Sequence, residues 1–550
     1  MRPQNPWGDS RRLLSWGRSV ALGVLLLIIC AFFVDSYVNR DSGRLLFPLR
    51  ASTLDSTSLS PSSNEHNLIK PNVQIVDRNH PPEGVTCEDW LSKADSAASG
   101  PGGREFEIDP VRILEVGFKP WDLAPEEVLS RCDVKCRQIT LGSPEAANYS
   151  SWDAHTLEWP PSKPIFIPST TSNSSQDLGP LVVRNIESPH YYPALQLPMI
   201  GVNITMLGSL SSHVPQPGCP PEDDYFEPPL DFGEKIPAVM SMISNCNAIS
   251  FRNEALEEMR RLGLAVHQYG ECGRTNSWED ETTERRSPKT IKYALARKHM
   301  FYAAFENSIY EDYVTEKMFD ALVAGSVPIY IGAPNVMDFV PDRNAIIQLR
   351  SMDEVPAVVD EIKRLMRNRT AYEEKLAWKR RLPSSAFRAL LNSQAVSQTC
   401  KLCIEIATRI QENGLAAAKP NRPCSCTPVP LNGSQVLSRS VHHLYVRERG
   451  TFPFCDVFIR DDDVRISVVH EAIAYAFQRA GYVPTWRKYG YQKYQKYQKY
   501  GDGLYKVFKV TPVRTTYREA VFGRAYFEDD KSLRQYLKDN PCPRLEVIFI

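Results

Sequence analysis

The clearest alternation of hydrophobic and polar positions lies between residues 300 and 335. An apolar run from Met300 to Phe305 has the length of a buried strand, and a polar break follows it. Apolar residues then recur at helical spacing from Val314 to Leu322, and Gly325 is placed to end that helix. A second apolar run extends from Val327 to Ile331. The pattern predicts a strand, a loop, a helix and a second strand, which together form half of a nucleotide-binding α/β unit.

Alternating strands and helices extend over the surrounding residues. The pattern predicts strands at Ala238 to Ile243 and Ala265 to Tyr269, a helix at Arg252 to Leu262, and further helices from Val355 onward. Strands that alternate with helices along a chain favour a parallel sheet. We therefore predict an α/β region at residues 236–406.

The preceding region, residues 86–229, has a weaker pattern. Its best strand candidates are Val111 to Val116, Pro164 to Ile167 and Leu181 to Val183. These short runs alone do not define a fold.

The C-terminal residues show a third pattern. Residues 407–440 are rich in Pro and Ser, and the pattern beyond them predicts a small α+β module at 441–550. Its predicted elements are strands at His442 to Val446 and Val457 to Ile459 and a helix at Val468 to Ala480, and the module ends on Leu545 to Ile550. A threefold Tyr-Gln-Lys repeat lies within it, and we interpret this repeat as an expanded loop rather than a basic aromatic binding patch.

An uncharged apolar run, Ser19 to Val34, lies near the N-terminus. Its length approaches that of a membrane span, four arginines precede it, and Asp35 follows it. Because positive residues stay on the cytoplasmic side, the body of the chain should be lumenal. We predict a cytoplasmic tail at 1–18, a transmembrane signal anchor at 19–35 and a flexible stem at 36–85. A cleaved signal peptide is the alternative, and it also directs the chain to the secretory pathway.

Composition agrees with that compartment. The chain has 65 basic and 65 acidic residues, a balance that does not favour nucleic-acid binding. Twelve of its thirteen cysteines lie beyond the apolar run, and we predict that most form disulfides in an oxidising lumen. Five N-glycosylation sequons are present, at Asn148, Asn173, Asn203, Asn368 and Asn432.

Two clusters could in principle hold a metal. Asp461 to Asp463 fits an Asp-x-Asp pattern, but it lies far along the chain from the α/β unit, so we interpret it as a solvated turn. Cys400 and Cys403, with Cys424 and Cys426, could be four zinc ligands, although the second pair has poor spacing for zinc. We favour disulfides there, with a staple that ties the helix carrying Cys400 to the loop that follows it.

Charged residues occupy the start of the predicted helix between the two apolar runs. Glu316 and Lys317 fall in its first turn, beside Tyr313. A helix N-terminus attracts phosphate, a lysine adds a full positive charge, and a carboxylate can accept hydrogen bonds from sugar hydroxyls. The arrangement is suited to a sugar nucleotide, although many helices of this kind only cover a sheet.

Sequence resemblance indicates which sugar nucleotide the site would bind. The segments FENSIYEDYVTEK and AGSVPIYIGAPN, which begin at Phe305 and Ala324, resemble the donor-site signature of the α1,3-fucosyltransferase family. Similarity to the plant-type branch, which fucosylates the core of N-linked glycans, continues through SMISNCNAISFRNEAL, CKLCIEIATRI, HLYVRERG and NPCPRLEVIFI. It covers roughly residues 86–550, patchily before residue 180.

The resemblance implies a GT-B-like α/β fold, in which two Rossmann-like lobes face each other across a cleft. Residues 86–229 would form the N-terminal acceptor-binding lobe, and residues 236–406 the C-terminal lobe that binds GDP-fucose. A Cys- and Pro-rich linker at 407–440 and the small α+β module at 441–550 would follow.

The resemblance also assigns site residues. Glu187 follows an apolar run and precedes Pro189, which would place its carboxylate at a strand end, and the trio Glu187-Ser188-Pro189 resembles the family motif whose glutamate is the catalytic base. Arginine suits donor phosphates because its planar fork binds their oxygens bidentately. The residues implied in donor binding are Arg252, Asn307, Tyr313, Glu316 and Lys317.

The implied reaction is an inverting transfer of L-fucose from GDP-β-L-fucose to the 3-hydroxyl of the innermost N-acetylglucosamine of N-glycans on glycoproteins. We expect no obligatory metal or other cofactor, because Arg252, Lys317 and the helix terminus can neutralise the diphosphate. A divalent metal would act at most as a stimulator. The resemblance also implies a single-pass type II protein of the Golgi membrane, with a lumenal catalytic domain and no nucleic-acid partner.

Three alternatives stay open. They are a Lewis-type α1,3/1,4-fucosyltransferase acting on terminal N-acetyllactosamine, a catalytically inactive Golgi glycan-binding protein, and a transferase that uses another sugar nucleotide.

Two departures from the family pattern bear on these alternatives. Glu271 replaces a glycine in Tyr269-Gly270-Glu271-Cys272, which could alter a tight turn near the donor. His213 stands where an acidic residue is more common, which puts acceptor contacts in doubt.

Overall fold

The structure is a computed structural model of the chain. It describes residues 81, 84–98, 104–118, 123–158, 178–192, 201–219, 225–281, 287–417, 424–427, 440–485 and 508–550. The predicted cytoplasmic tail, signal anchor and most of the stem lie outside these ranges, as does the Tyr-Gln-Lys repeat. Among the described helices, none is both long enough and apolar enough to cross a bilayer.

The first-sheet region is a five-stranded parallel sheet with few helices. Its elements are α1 (Cys87–Ala98), β1 (Val111–Val116), α2 (Glu126–Leu129), β2 (Cys136–Thr140), β3 (Ala154–Glu158), β4 (Leu181–Asn185) and β5 (Val202–Leu207). The strand order is β2-β1-β3-β4-β5, and every neighbouring pair is parallel. Along β1, five of the six residues are buried, as in a strand covered on both faces.

The second-sheet region is a parallel sheet with helices on both faces. Its elements are β6 (Ile236–Ser241), α3 (Arg252–Arg261), β7 (Val266–Gln268), α4 (Trp278–Glu281), α5 (Pro288–Lys298), β8 (His299–Phe305), α6 (Glu316–Ala324), β9 (Val327–Ile331), β10 (Ile347–Gln348), α7 (Val355–Arg367), α8 (Arg369–Lys375), α9 (Ser385–Ser393) and α10 (Gln398–Ala417). The strand order is β10-β9-β8-β6-β7.

Strand β8 lies at the centre of this sheet, and all seven of its residues are buried. Phe301, Ala303 and Phe305 pack on one face in a cluster with α3 and α7. Tyr302 and Ala304 pack on the other face in a cluster with α5 and α6. The apolar run is continuous because both faces of a parallel sheet are covered by helices.

Helix α6 ends at a glycine for a steric reason. Gly325 adopts φ 69°, in the left-handed region that side chains disfavour. A Cβ atom there would also lie 2.8 Å from Pro229 Cβ. The turn that ends α6 and starts β9 therefore requires glycine.

The third-sheet region is mixed. Its elements are β11 (Ser425–Cys426), β12 (Val441–Glu448), β13 (Cys455–Arg460), α11 (Ile466–Arg479), β14 (Phe508–Pro512), α12 (Tyr517–Phe522), α13 (Asp530–Asp539) and β15 (Arg544–Phe549). Strand β12 pairs antiparallel with β11 and β13 and parallel with β15, which pairs antiparallel with β14.

The structure contains five disulfides in the described residues, three of which connect different regions, and they correct the predicted staple. Cys400 and Cys403 do not bond to the loop that follows α10, because both are linked back to the first-sheet region. The pairs are Cys87–Cys426, Cys132–Cys400, Cys136–Cys403, Cys246–Cys272 and Cys424–Cys542. Cys219 and Cys455 are not in disulfides, and Cys219 Sγ lies 3.3 Å from the Tyr225 hydroxyl.

The predicted α/β class is confirmed, but local predictions differ in quality between regions. In the second-sheet region β6 to β9 lie within two residues of their predicted bounds, and helix α10 runs on to Ala417, past residue 406. In the first-sheet region β1 matches its prediction and β4 extends to Asn185, whereas β2, β3 and β5 were not predicted. The strand predicted at Pro164 to Ile167 lies outside the described residues.

Candidate active site

Three segments that follow parallel strands meet at one edge of the two parallel sheets. They come after β4, β6 and β8, and side-chain contacts join them. Asn307, after β8, has Nδ2 3.5 Å from Glu187 Oε2, after β4. Asn245, after β6, donates from Nδ2 to the Tyr191 hydroxyl at 3.0 Å. The carboxyl ends of parallel strands are the usual ligand sites of α/β proteins, so this junction is the candidate site.

Glu187 is fixed by the turn that follows β4. Its backbone N–H donates to Asn185 Oδ1 at 2.6 Å, and the buried Ser188 accepts the His190 N–H through Oγ at 3.1 Å. The Tyr313 hydroxyl donates to Glu187 Oε2 at 2.9 Å. Within the described part of the chain, no group donates to Oε1, so this oxygen can still accept a proton from a substrate.

Tyr313 links the two sides of the site. Its side chain is buried, with 7% of its surface exposed. Burial raises the pKa of the Tyr313 phenol, and the nearby carboxylates Glu306 and Glu187 raise it further. The phenol therefore keeps its proton and acts as a hydrogen-bond donor to Glu187.

A buried carboxylate organises the N-terminus of α6. Glu306 follows β8 directly and is fully buried. It accepts the Thr315 N–H at 2.8 Å, the Thr315 hydroxyl at 2.8 and 2.9 Å, and Lys317 Nζ at 3.1 Å. Lys317 Nζ also donates to Thr315 Oγ1 at 2.8 Å. The ammonium group of Lys317 is therefore held in place although its side chain stays 22% exposed.

The charges in this cluster depend on each other. Burial raises the pKa of Glu306, and the nearby Lys317 opposes that shift. Burial alone would lower the pKa of Lys317, but Glu306 and Glu316 outweigh it and raise the pKa. Lys317 is therefore firmly cationic at the first turn of α6, where the helix dipole is also positive.

Glu316 lies at the solvent side of the same turn. Its side chain is 50% exposed, and Oε1 lies 3.4 Å from Lys317 Nζ. Burial would raise the pKa of Glu316, but Lys317 and Lys292 outweigh it and lower the pKa. Glu316 therefore presents an ionised carboxylate at the edge of the site.

Arg252 begins α3 and is almost fully buried. Its guanidinium donates to the backbone carbonyl of Asn245, and to that of Phe305 at 3.4 Å. Nε has no hydrogen-bond partner among the described residues. Burial lowers the pKa of Arg252, and Glu306 and Tyr313 oppose the shift. Much of the fork predicted for phosphate is thus already bonded to backbone, and Arg252 braces the segments after β6 and β8.

Asn307 makes contacts through both its backbone and its side chain. Its carbonyl accepts the backbone N–H groups of Ile249 and Ser250 at 2.9 and 3.0 Å. Its side chain reaches Glu187 through Nδ2, and its buried Oδ1 has no partner in the described ranges. That oxygen is therefore a buried acceptor without a donor among those residues, on a side chain that contacts Glu187.

The structure places the six predicted site residues in three groups of contacts around this junction. Asn307 and Tyr313 contact Glu187, Lys317 is bound to Glu306 and lies beside Glu316, and Arg252 is bonded to the backbone of Asn245 and Phe305. Glu306 and Thr315 were not predicted. A signal was present, because Glu306 ends the apolar run of β8 and Thr315 is a typical N-cap residue immediately before the helix. Here its hydroxyl binds Glu306 instead of capping α6.

The two departures from the family pattern lie in different places. Cys272 forms a disulfide with Cys246, which ties the Tyr269–Cys272 turn to the segment before Arg252. His213 lies beside Thr205 of β5, with Nδ1 2.9 Å from the hydroxyl oxygen, and its side chain does not bond to Glu187. The turn therefore supports the site, whereas His213 packs against the first sheet.

The two clusters weighed as possible metal ligands make other contacts in the structure. Within the described ranges, no three His, Cys, Asp or Glu side chains are grouped as metal ligands. Asp461 lies 2.9 Å from His442 Nε2, and Asp463 accepts from Arg465 at 2.8 Å. The four cysteines considered as zinc ligands are all in disulfides.

Comparison with known proteins shows which family the chain belongs to. A family model described as glycosyltransferase family 10 (fucosyltransferase), C-terminal part, matches residues 232–417. A putative fucosyltransferase-like protein of Arabidopsis thaliana is 32% identical over 473 residues, which cover 84% of this chain and 80% of the relative. The match therefore extends well beyond the family model.

Other relatives match a smaller part. An alpha-(1,4)-fucosyltransferase of Arabidopsis thaliana is 35% identical over 29% of this chain and 38% of its own length. GDP-fucose protein O-fucosyltransferase 3 of Gallus gallus is 34% identical over 25% of this chain and 29% of its own length. A crystal structure of an alpha1,3-fucosyltransferase covers 48% of this chain and 81% of that chain, with 16% identity and a TM-score of 0.31. On the family match and the long relative, the chain belongs to glycosyltransferase family 10, the fucosyltransferases.

Proposed function

We propose that the protein transfers L-fucose from GDP-β-L-fucose, in α1,3 linkage, to the innermost N-acetylglucosamine of N-linked glycans. One observation carries the chemistry. The Glu187 carboxylate, after a strand of the first sheet, lies within hydrogen-bond distance of Tyr313, four residues before the cationic Lys317 of the second-sheet region. In this proposal the base and the leaving-group cation stand on opposite sides of one site. The two parallel sheets would then be the two lobes of a GT-B-like enzyme.

Glu187 would act as the base. The acceptor hydroxyl gives its proton to Glu187 Oε1, and its oxygen attacks the anomeric carbon of fucose from the face opposite GDP. The bond between that carbon and the β-phosphate oxygen breaks, and GDP leaves with the electron pair. One displacement converts the β-linked donor into an α-linked product.

The diphosphate would be stabilised by fixed charges. Lys317 and the N-terminal turn of α6 supply positive potential where negative charge develops on the leaving group. Because Glu306 and Thr315 already hold Lys317 in position, little reorganisation accompanies the reaction. Arg252 would add its positive charge from its buried position at the start of α3. This arrangement needs no metal, although a divalent cation could still stimulate turnover.

The N-glycan acceptor rests on the sequence resemblance to plant-type enzymes. Two other acceptors are second candidates, each favoured by a relative. Similarity to an alpha-(1,4)-fucosyltransferase favours terminal N-acetyllactosamine, and similarity to a protein O-fucosyltransferase favours a hydroxyl of a polypeptide. In each case the transferred group and the function of Glu187 are the same.

We also propose that the enzyme is a type II protein of the Golgi membrane with a lumenal catalytic domain. The apolar run at 19–34 with arginines before it supports this orientation. Five disulfides support an oxidising compartment.

The test is mass spectrometry of acceptors incubated with the full-length protein and GDP-fucose. The panel contains an N-glycopeptide, a free N-acetyllactosamine oligosaccharide and a folded polypeptide without glycans. We expect fucose on the 3-position of the innermost N-acetylglucosamine, and a loss of about 10²- to 10⁴-fold in kcat for Glu187→Gln. Glu257→Gln, an exposed glutamate on α3, is the matched control and should keep full activity.

The possible outcomes test the identity of the acceptor and the function of Glu187 separately. Fucose on the oligosaccharide or on the bare polypeptide alone would replace the N-glycan assignment but keep Glu187 as base. Full activity of Glu187→Gln would remove Glu187 from the mechanism. A protein that binds GDP yet transfers to no acceptor would favour a glycan-binding function.

A further inference from the structure

The third-sheet region reaches the candidate site through one arginine. Arg518 lies in the first turn of α12, a helix outside residues 232–417 where the family model matches. Its guanidinium forms an ion pair with Asp312, and it lies 3.3 Å from Asp338 Oδ2 and 3.7 Å from Glu311 Oε1. Asp312 immediately precedes Tyr313, the donor to Glu187. The arginine is therefore one residue away from the catalytic contact.

Asp312 is buried, and its backbone conformation is unusual. Its side chain is 4% exposed, and it adopts φ 65°, in the left-handed region that residues other than glycine rarely occupy. Side-chain contacts hold it there. Oδ2 accepts the Ser209 hydroxyl and the Leu210 N–H, both at 3.0 Å, while Oδ1 accepts Asn335 Nδ2 at 3.0 Å and the Arg518 guanidinium. A disfavoured conformation that is held by this many partners marks a functional constraint.

The contacts of Asp312 also join different regions of the chain. Ser209 and Leu210 follow β5 of the first sheet, and Asn335 follows β9 of the second. The backbone N–H of Arg518 also donates to the Leu210 carbonyl at 3.0 Å. Asp312 and Arg518 together therefore fix the loop after β8 against the first-sheet region, which carries Glu187.

Packing makes the position of Arg518 rigid. Its neighbours Tyr517, Ala520 and Val521 are buried in the same apolar cluster as Phe319 of α6 and Tyr330 of β9. The Tyr330 hydroxyl in turn donates to the Tyr313 carbonyl at 3.1 Å. Helix α12 is thus built into the core beneath the donor loop, and its arginine has a defined approach to Asp312.

We propose that Arg518 is a positioning residue for fucosyl transfer. It neutralises Asp312, holds the loop from Asn307 to Thr315 in its strained turn, and so keeps the Tyr313 hydroxyl on Glu187. This inference rests on the proposed function of Glu187. It makes the third-sheet region part of the catalytic unit rather than an appended module.

The first test is steady-state kinetics on Arg518→Met and Arg518→Lys in the full-length protein. Lys317 and Arg252 make no contact with Arg518, so we expect the KM for GDP-fucose to change less than twofold. The misplaced loop should lower kcat by about 10- to 100-fold in Arg518→Met. Lysine keeps the charge but not the fork, so Arg518→Lys should recover part of that loss. Arg524→Met, with a side chain that is 92% exposed in the same region, is the control and should retain its kcat.

A double-mutant cycle identifies the path of the effect. If Arg518 acts through Tyr313, then Arg518→Met combined with Tyr313→Phe should be no slower than Tyr313→Phe alone. Losses that multiply would show that Arg518 acts independently of Tyr313 and would contradict the proposal, and an unchanged kcat in Arg518→Met would overturn it outright.

Hydrogen exchange followed by mass spectrometry provides a readout independent of turnover. The peptide spanning residues 306–316 should exchange faster in Arg518→Met and in Arg518→Lys than in the parent protein or Arg524→Met. Unchanged exchange would contradict the proposal even if no acceptor is found. Faster exchange together with an active Glu187→Gln variant would instead keep Arg518 as the loop's anchor and reject Glu187 as the base.

Discussion

The two parallel sheets have the same strand arrangement but are stabilised differently. The second sheet packs large buried clusters on both faces, built from α3 and α7 on one side and α5 and α6 on the other. The first sheet has a small cluster on one face, and its other cluster is completed by Leu402, Ile404 and Ile406 of α10. Two disulfides, Cys132–Cys400 and Cys136–Cys403, fix that helix to the sheet. The first sheet therefore depends on a segment more than 250 residues further along the chain.

This difference extends to the site. On the second-sheet side, Lys317 is held by a buried carboxylate and a hydroxyl. On the first-sheet side, Glu187 is half-buried and bonded through one oxygen. The contrast indicates that side-chain contacts fix the second-sheet side of the site more tightly than the first-sheet side. Each prediction below tests one side of that contrast.

The largest effect is expected from unlinking the first sheet. Cys132→Ala combined with Cys136→Ala removes two long-range cross-links, and we expect the free energy of unfolding to fall by about 4 kcal/mol. In hydrogen exchange, peptides covering β1 and β3 should lose protection while peptides covering β8 retain it. Cys455→Ala controls for loss of a thiol outside any disulfide. Equal loss of protection in β8 would contradict the difference between the sheets.

A smaller effect is expected from the buried charge of the second sheet. Glu306→Ala leaves Lys317 and Thr315 without their acceptor, and removing one partner of a buried pair costs about 3 kcal/mol of unfolding free energy. The value lies at the low end of the usual range because Lys317 is 22% exposed and has Glu316 as a second partner. GDP binding, followed by calorimetry, should weaken in parallel.

A matched pair of variants checks that prediction. Glu257→Ala, exposed on α3, should change the unfolding free energy by less than about 0.5 kcal/mol. Glu306→Gln should fall between the two, because an amide can still accept from Thr315 but does not neutralise Lys317. A loss below about 1 kcal/mol for Glu306→Ala would mean that Lys317 is held mainly by other groups.

The same contrast explains which elements the sequence could predict. Strand β8 is buried on both faces, so its seven residues form an apolar run that is visible locally, and Gly325 marks the end of α6 by its own conformation. Strand β2, Cys136 to Thr140, has only two buried residues of five. Its burial depends on α10, which no local pattern around β2 can indicate. The pattern of the first-sheet region is therefore weak because part of its buried surface is covered by a helix that lies far along the chain.

The site divides in the same way. Lys317 and Glu187 could be proposed from family resemblance and from their positions next to apolar runs. Asp312 and Arg518 could not, because 206 residues separate them and their significance arises from a contact. From the sequence alone, an aspartate in a polar loop and an arginine on a helix would each be expected to lie in solvent. Only the fold shows that they neutralise each other beside Tyr313.

The smallest effect concerns acid sensitivity of the first sheet. The Thr205 backbone N–H donates to His213 Nδ1 at 3.1 Å, so that nitrogen accepts and the imidazole is neutral. Burial lowers the pKa of His213 from 6.5, Arg409 and Arg514 lower it further, and Glu405 opposes them. The unfolded chain therefore takes up a proton first as the pH falls below 6.5. Folded-state stability should decrease from that pH down to the lowered pKa and then level off.

Removing the imidazole should flatten this dependence. The melting temperature of the parent protein should drop between about pH 7.5 and about pH 5.5, and the drop should be smaller in His213→Asn. His190→Asn, which removes an exposed imidazole after β4, should keep the parent's drop. If His213→Asn also keeps it, the acid sensitivity lies outside the first sheet. A flattened curve would instead show that His213, at a position where the family more often carries an acidic side chain, is a source of the acid sensitivity of this sheet.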